Sequence, residues 1–282
     1  MKPVLPFVET MATQVCNLSC VGCTNYSDLT HSGYVPWAVM KDQLSAWLAV
    51  IDIPDFGIMG GEPLINPEIR QWLRGVRELM PTSQIRFTTN GLLLDRHLDI
   101  VDLAHEIGNV VFKITVHTDS NKLENLIDQI HRRYQWQAVE EYGIQRWATD
   151  RQLRFQINRP RQFVKTFRNT YETMQPYASP IDQSFAMCVQ QKCPLLYGGR
   201  IYKCSTQGLL DSTLARFSYP NFEEWKPYLV NGIAPDSTQE EIKDFIDNFG
   251  KPNKICAMCP TAHDSAQIEH RGIPKRKIWQ TT

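Results

Sequence analysis

Strand-like and helix-like runs alternate from Phe7 to about Met174, and no other feature of the sequence restricts the fold as much. Phe7 to Val15, Phe56 to Met59, Ile85 to Thr89, Val110 to His117 and Leu153 to Asn158 read as strands, with a sixth near Gln183 to Met187. Between them, Trp37, Met40, Leu44, Trp47, Leu48 and Ile51 recur at helical spacing behind Pro36, which suits a first turn. Further helices are predicted over Pro67 to Met80, Asp95 to Ile107, Asn121 to Trp147 and Gln162 to Met174. Strands separated by helices pair in parallel, because each return must cross the sheet by the right-handed βαβ route. The expected class is α/β.

In parallel sheets and barrels, functional groups collect on the loops after the carboxyl ends of the strands. Here those loops read Cys16 to Cys23, Gly60-Gly61-Glu62-Pro63, Thr89-Asn90-Gly91, His117-Thr118-Asp119 and Asn158-Arg159-Pro160, and they are expected to share one rim. The first holds Cys16, Cys20 and Cys23 within eight residues. A [4Fe-4S] cubane takes one thiolate per iron, so three cysteines leave one iron open to bind something else. Structural zinc is the competing occupant, with His31 available as a fourth ligand. Zinc sites, however, usually start from one pair and find a second pair farther on.

At 282 residues the chain has room for an α/β domain with an appended module, or for two domains. Its 42% hydrophobic and 21% charged residues are those of a soluble globular protein. The 30 basic and 30 acidic side chains cancel, so no global field draws nucleic acid or an anionic membrane. Arg271, Lys275, Arg276 and Lys277 form the densest basic cluster and read as a solvated end. Met1 to Thr10 lacks the apolar run of a signal peptide, and nothing approaches the roughly 20 apolar residues of a membrane span. A cytoplasmic location is expected, where the eight cysteines read as ligands rather than as disulfides.

Cys16, Cys20 and Cys23, spaced x3 and x2, followed after the next strand by Gly60-Gly61-Glu62-Pro63, resemble the radical S-adenosylmethionine (SAM) superfamily over about residues 5 to 175. The resemblance implies a partial (β/α)6 TIM-like barrel over residues 1–180, with a [4Fe-4S] cluster on those three cysteines. It also implies SAM on the open iron, bound through its amino group and carboxylate. The Gly60 and Gly61 carbonyls would take the SAM ammonium with no Cβ in the way, with Glu62 and Pro63 completing the turn. Thr89, Asn90 and His117 would contact its ribose or carboxylate. Many members carry an aromatic residue just before the third cysteine. This chain has Gly22 there, so packing against the adenine is expected from Tyr26.

Beyond Pro180 the alternation fades and Cys188, Cys193, Cys204, Cys256 and Cys259 follow. Leu195 to Tyr202 reads as a hairpin turning at Gly198-Gly199, which brings Cys193 toward Cys204. With Cys256 and Cys259 these make four thiolates, a spacing that serves zinc as well as iron-sulfur. The pattern resembles the twitch module, a short form of the SPASM domain. That implies a small α+β module over residues 181–282 with a second [4Fe-4S] cluster on Cys193, Cys204, Cys256 and Cys259. Phe217 to Phe249, including a helix from Gln239, would be its insert. Cys188 is left over as a buried thiol, an alternative to Cys193 or a catalytic hydrogen donor.

The expected function is a radical SAM oxidoreductase. It would cleave SAM reductively to a 5′-deoxyadenosyl radical and take a hydrogen from a carbohydrate-like or other small polar metabolite, oxidising or otherwise modifying it. Its logic resembles that of twitch dehydrogenases that oxidise an amino-cyclitol alcohol, where a second cluster accepts the remaining electron. A flavodoxin or ferredoxin-type protein would donate the first electron. The alternative is a radical maturase of a peptide or protein (RiPP-type), disfavoured because 15 residues precede Cys16. An iron-sulfur electron-transfer or sensing protein is more remote. Asp28, His31, Arg154 and Arg159 are the candidate substrate acids and bases.

Overall fold

A computed structural model describes residues 2–118, 121–135, 137–141, 144–148, 153–160, 162–262, 267–269 and 272–275. The first part of the chain runs through β1 (Val8–Met11), β2 (Leu18–Cys20), α1 (Trp37–Val50), β3 (Asp55–Met59), α2 (Ile69–Leu79), β4 (Gln84–Thr89), α3 (Leu98–Ile107) and β5 (Val110–Thr115). Next come α4 (Asn121–Tyr134), β6 (Gln137–Glu141), β7 (Ile144–Ala148), β8 (Leu153–Asn158) and β9 (Gln162–Val164). The remainder forms α5 (Ile181–Met187), β10 (Leu195–Tyr197), β11 (Arg200–Tyr202), α6 (Ser205–Arg216), α7 (Phe222–Trp225), α8 (Gln239–Asn248), β12 (Gln267–Glu269) and β13 (Gly272–Pro274).

Nine strands make one open sheet in the order β11-β10-β1-β3-β4-β5-β8-β7-β6. The six from β10 to β8 are parallel; β11 pairs antiparallel with β10 at one edge, and the β6–β7 hairpin joins β8 antiparallel through β7 at the other. This is an α/β fold of the partial-barrel kind. One face of the sheet is apolar: Phe56, Ile58, Ile85, Phe87, Phe112, Ile114 and Phe155 are fully buried there with the side chains of the helices. Phe87, Phe112 and Phe155 stack in a row with ring centroids 5.1 and 5.9 Å apart. Each such side chain stabilises the fold by roughly 1.5–3 kcal/mol. Helix α1 presents Trp37, Met40, Leu44 and Trp47 to this core. Its unpaired Trp37 N–H donates to Glu68 Oε2 at 2.7 Å, a carboxylate placed where the helix dipole favours it.

Three predicted elements differ. The helix expected to reach Trp147 stops at Tyr134, where Gln135 adopts a left-handed φ of 46°, and the chain continues as the β6–β7 hairpin. The expected helix Gln162 to Met174 is β9 followed by a short 3₁₀ turn at Tyr171–Thr173, because β12 offers β9 a pairing partner from 100 residues away. Gln183 to Met187, expected as a strand, is helical, and Ser184 Oγ of this helix donates to Cys256 O at 2.7 Å. The sixth parallel strand is β10, which pairs with β1, so the hairpin assigned to the second module extends the core sheet.

Candidate active site

The segment that leaves β1 toward Cys16 is gripped by the glycine turn after β3. Gly61 N donates to Thr13 O and Glu62 N to Val15 O, both at 2.8 Å. A Cβ on Gly60 would lie 2.4 Å from Thr13 O, and one on Gly61 would lie 2.4 Å from Val15 O. The missing side chains are required in the first place by this backbone contact, a reason the sequence reading did not supply. Glu62 is fully buried, and its carboxylate accepts hydrogen bonds from Leu64 N (3.1 Å), Thr89 Oγ1 (2.7 Å) and Asn90 N (2.8 Å). It therefore ties the turn after β3 to the loop after β4. Burial pushes its pKa up to about 7, against the pull of those three donors.

Cys16 and Cys20 are buried and Cys23 is half-buried. Cys16 Sγ receives Leu18 N–H at 3.4 Å and the Asn90 side-chain amide at 3.8 Å, while the nearby backbone N–H groups of Asn25, Ser27 and Asp28 favour the Cys23 thiolate. Donors aimed at sulfur suit thiolates that carry a metal cluster. Without a metal, burial pushes all three thiols up, Cys16 to about 12. Binding would then release protons. Gly22 has φ +76°, and a Cβ there would sit 3.4 Å from Lys165 N, so the loop turns where a bulky residue would strain it. Lys275 of the basic tail is not solvated as expected. β13 pairs with β2, and Lys275 Nζ donates to Ser27 O and Leu29 O at 2.7 Å each. Arg271, Arg276 and Lys277 lie outside the described residues.

A cavity of about 830 Å³ opens against this loop. All five predicted loops line it, through Cys16, Cys20, Cys23, Gly60, Gly61, Thr89, Asn90, His117, Asn158, Arg159 and Pro160. Asp119 lies outside the described residues, and Glu62 and Pro63 are buried behind the wall. Asp28 also lines the cavity, takes a hydrogen bond from Tyr171 Oη at 2.7 Å, and is raised by burial. Arg159 reaches the cavity while paired with Glu124 at 2.7 Å. Three candidates lie elsewhere. Tyr26 is buried in an aromatic cluster, 6.3 Å from Phe167 and 6.4 Å from Tyr171 between ring centroids. His31 turns its Nε2 to Tyr26 O at 2.9 Å, outside the cavity, and burial lowers its pKa. Arg154 sits lower on the polar face of the sheet, bonded to Gln84.

Residues 11–145 match the sequence profile of the radical SAM superfamily. Over that stretch, just under half of the chain, the sequence is similar to radical SAM domains. GTP 3′,8-cyclase of Chlorobaculum tepidum is 33% identical over 93 residues, which are 33% of this chain and 28% of that protein. The GTP 3′,8-cyclase of Synechocystis is 29% identical over 122 residues, 43% of this chain and 35% of that protein. The chain thus spans about a third of the length of these curated relatives. Among solved structures, BtrN in complex with AdoMet and 2-DOIA shares the fold across 93% of this chain and 95% of its own, with a TM-score of 0.50 and 14% identity. A radical SAM domain implies a [4Fe-4S] cluster and SAM. The three-thiol loop, its N–H donors and the adjoining cavity fit both.

Five cysteines lie beyond that stretch of similarity. Cys188, Cys204 and Cys259 line one small cavity, and each feels the charge of Cys256. Cys193 feels Glu9, Lys113 and Arg86 on the polar face of the sheet, and Cys188 as well. Cys188 thus stands with Cys204, Cys256 and Cys259. The reason is α5, which packs on the segment carrying Cys256 and ends at Cys188. Gln190 links the two cysteine regions, donating to Thr24 Oγ1 at 3.1 Å and to Ser205 Oγ at 2.6 Å. Among the described residues no three Cys, His, Asp or Glu side chains converge on a single metal ion.

Phe163 and Lys113 line the cavity and were missed by the sequence reading. Phe163 stands edge-on to His117, centroids 5.6 Å apart. It was hidden by the mistaken helix over Gln162 to Met174. Lys113 was legible: it alternates with the apolar Phe112 and Ile114, as an inward position on β5 should.

Proposed function

We propose that the chain is a radical SAM enzyme acting on a small polar metabolite, with oxidation of the substrate as the net outcome. The observation that carries this reading is the single cavity on which the three-cysteine loop and the four following strand-end loops converge. When bound, the cluster on Cys16, Cys20 and Cys23 together with SAM would supply a 5′-deoxyadenosyl radical able to remove a substrate hydrogen. The Gly60–Gly61 turn, braced by Glu62, offers backbone acceptors to the ammonium of SAM. Thr89, Asn90 and His117 are the polar groups of the wall placed to face its ribose and carboxylate. Phe163 takes the place of Tyr26 as the aromatic surface available to the adenine. Cys188, Cys204, Cys256 and Cys259 would hold a second, fully thiolate-bound cluster, a place for the electron left on the substrate. A flavodoxin or ferredoxin-type donor belongs to the same reading.

A small substrate is favoured over a peptide by two supports. The curated relatives are named for a nucleotide, GTP, and BtrN shares the fold along nearly its whole length with AdoMet and 2-DOIA bound. Anaerobic incubation of the reconstituted protein with SAM and dithionite tests the reading. It should yield 5′-deoxyadenosine, and Cys16→Ser, Cys20→Ser and Cys23→Ser should each abolish it. Wild-type protein with a full iron complement that forms none would refute it.

A further inference from the structure

The sheet face opposite the helices is polar and arranged in rows. Strand register sets Glu9, Gly57, Arg86, Val111 and Arg154 side by side. In the next row toward the cysteine loop come Met11, Met59, Thr88, Lys113 and Gln156. The lower cations are engaged. Arg86 pairs with Asp55 (2.9 Å to Oδ1) and lies over the Phe7 ring at 4.9 Å, and Arg154 bonds the side chains of Gln84 and Asn109.

Lys113 is different. It lines the large cavity, and among the described residues its ammonium makes no hydrogen bond or ion pair. The charges it feels come from Glu9, Cys193 and Arg86. On this face Glu9 and Asp55 stand against Arg86, Lys113 and Arg154, so one cation is in excess. Burial raises Glu9 to about 7 and weakens the opposing negative charge further. Lys113 is half-buried on the cavity wall, where a cation without a partner is best completed by an anion.

We propose that Lys113 anchors an oxyanion of the substrate, a carboxylate or phosphate, inside the cavity. Thr88, Thr115 and Asn158 line the same wall and supply neutral donors to the remaining oxygens. A neutral sugar or an amine would leave the lysine unpaired. The substrate is therefore an acidic or phosphorylated metabolite. This rests on the cavity being the chamber for SAM and substrate. Lys113 lies below the loop positions assigned to SAM, four residues before His117.

The test uses inorganic phosphate as the probe and the reconstituted protein at low salt, reading the phosphate-dependent rise in melting temperature. Lys113→Met keeps most of the apolar stem and removes a partnerless charge, so it should fold at least as well as wild type. Its apparent phosphate affinity should fall about tenfold or more. Glu9→Gln should bind phosphate as well as wild type or better. SAM affinity by equilibrium dialysis should be unchanged in Lys113→Met. An equal phosphate response in wild type and Lys113→Met, no response in wild type, or a loss in Glu9→Gln overturns the proposal. So does a tenfold loss of SAM affinity in Lys113→Met, which would assign the lysine to the SAM carboxylate. Formation of 5′-deoxyadenosine is measured on the same preparations. Its absence would refute the radical reading and leave the phosphate result standing.

Discussion

Gly61→Ala should unlatch the cysteine segment from the turn that holds it. The added Cβ would stand 2.4 Å from Val15 O, 2.6 Å from Val15 C and 2.7 Å from Gln14 O, where ordinary contacts begin at 3.4 Å. Relief needs a displacement of about 1 Å, which stretches the 2.8 Å bonds from Gly61 N to Thr13 O and from Glu62 N to Val15 O past hydrogen-bonding range. Two backbone bonds contribute about 0.5–1.5 kcal/mol each, and the strain of overpacking adds roughly 1–3 kcal/mol. The expected loss is therefore roughly 2–6 kcal/mol, a large share of a typical domain's stability. Anaerobic urea denaturation of the reduced, metal-free protein measures it, provided the m-value is unchanged. Gly250→Ala is the control, because its Cβ would meet nothing nearer than Lys192 Cγ at 3.7 Å. That variant should stay within about 1 kcal/mol of wild type. If Gly61→Ala matched the control and still bound SAM, the latch argument would be wrong.

Three other outcomes are expected. Cys188→Ser should lose about half the reconstituted iron, while Cys193→Ser should keep it. Iron analysis with the charge-transfer absorbance decides, and the reverse pattern would restore the ligand set expected from sequence. Glu9 carries a pKa raised from 4.5 to about 7 by burial, against Lys113 and Arg86. Its native state therefore keeps a proton through that window, and its contribution is present below pH 4.5 and lost as pH rises toward 7. The loss is about 3 kcal/mol at most, and Glu9→Gln should remove that part of the slope in pH-dependent melts. Lys275→Met deletes two charged hydrogen bonds to the cysteine loop. It should cost about 1–3 kcal/mol and speed iron loss to a chelator; an unchanged rate would count against the strap.

The Cys16, Cys20 and Cys23 spacing, the Gly-Gly-Glu-Pro turn and the polar residues at three further strand ends were legible from sequence. Each sits within a few residues on one loop, and alternation of strands and helices delivers such loops to one rim. The parallel core was legible for the same reason, since local periodicity dictates each element and chain crossover dictates its direction.

What the sequence did not determine depends on residues far apart in the chain. β9 forms because β12 pairs with it, β10 joins β1 across nearly 190 residues, and Lys275 closes on a loop near the other end. Cys188 comes beside Cys204 and Cys259 because α5 forms and packs on the segment of Cys256, and Phe163 rather than Tyr26 lines the cavity. Spacing along a chain settles what a single loop can hold. Partners supplied by packing settle which of two similar side chains faces the site.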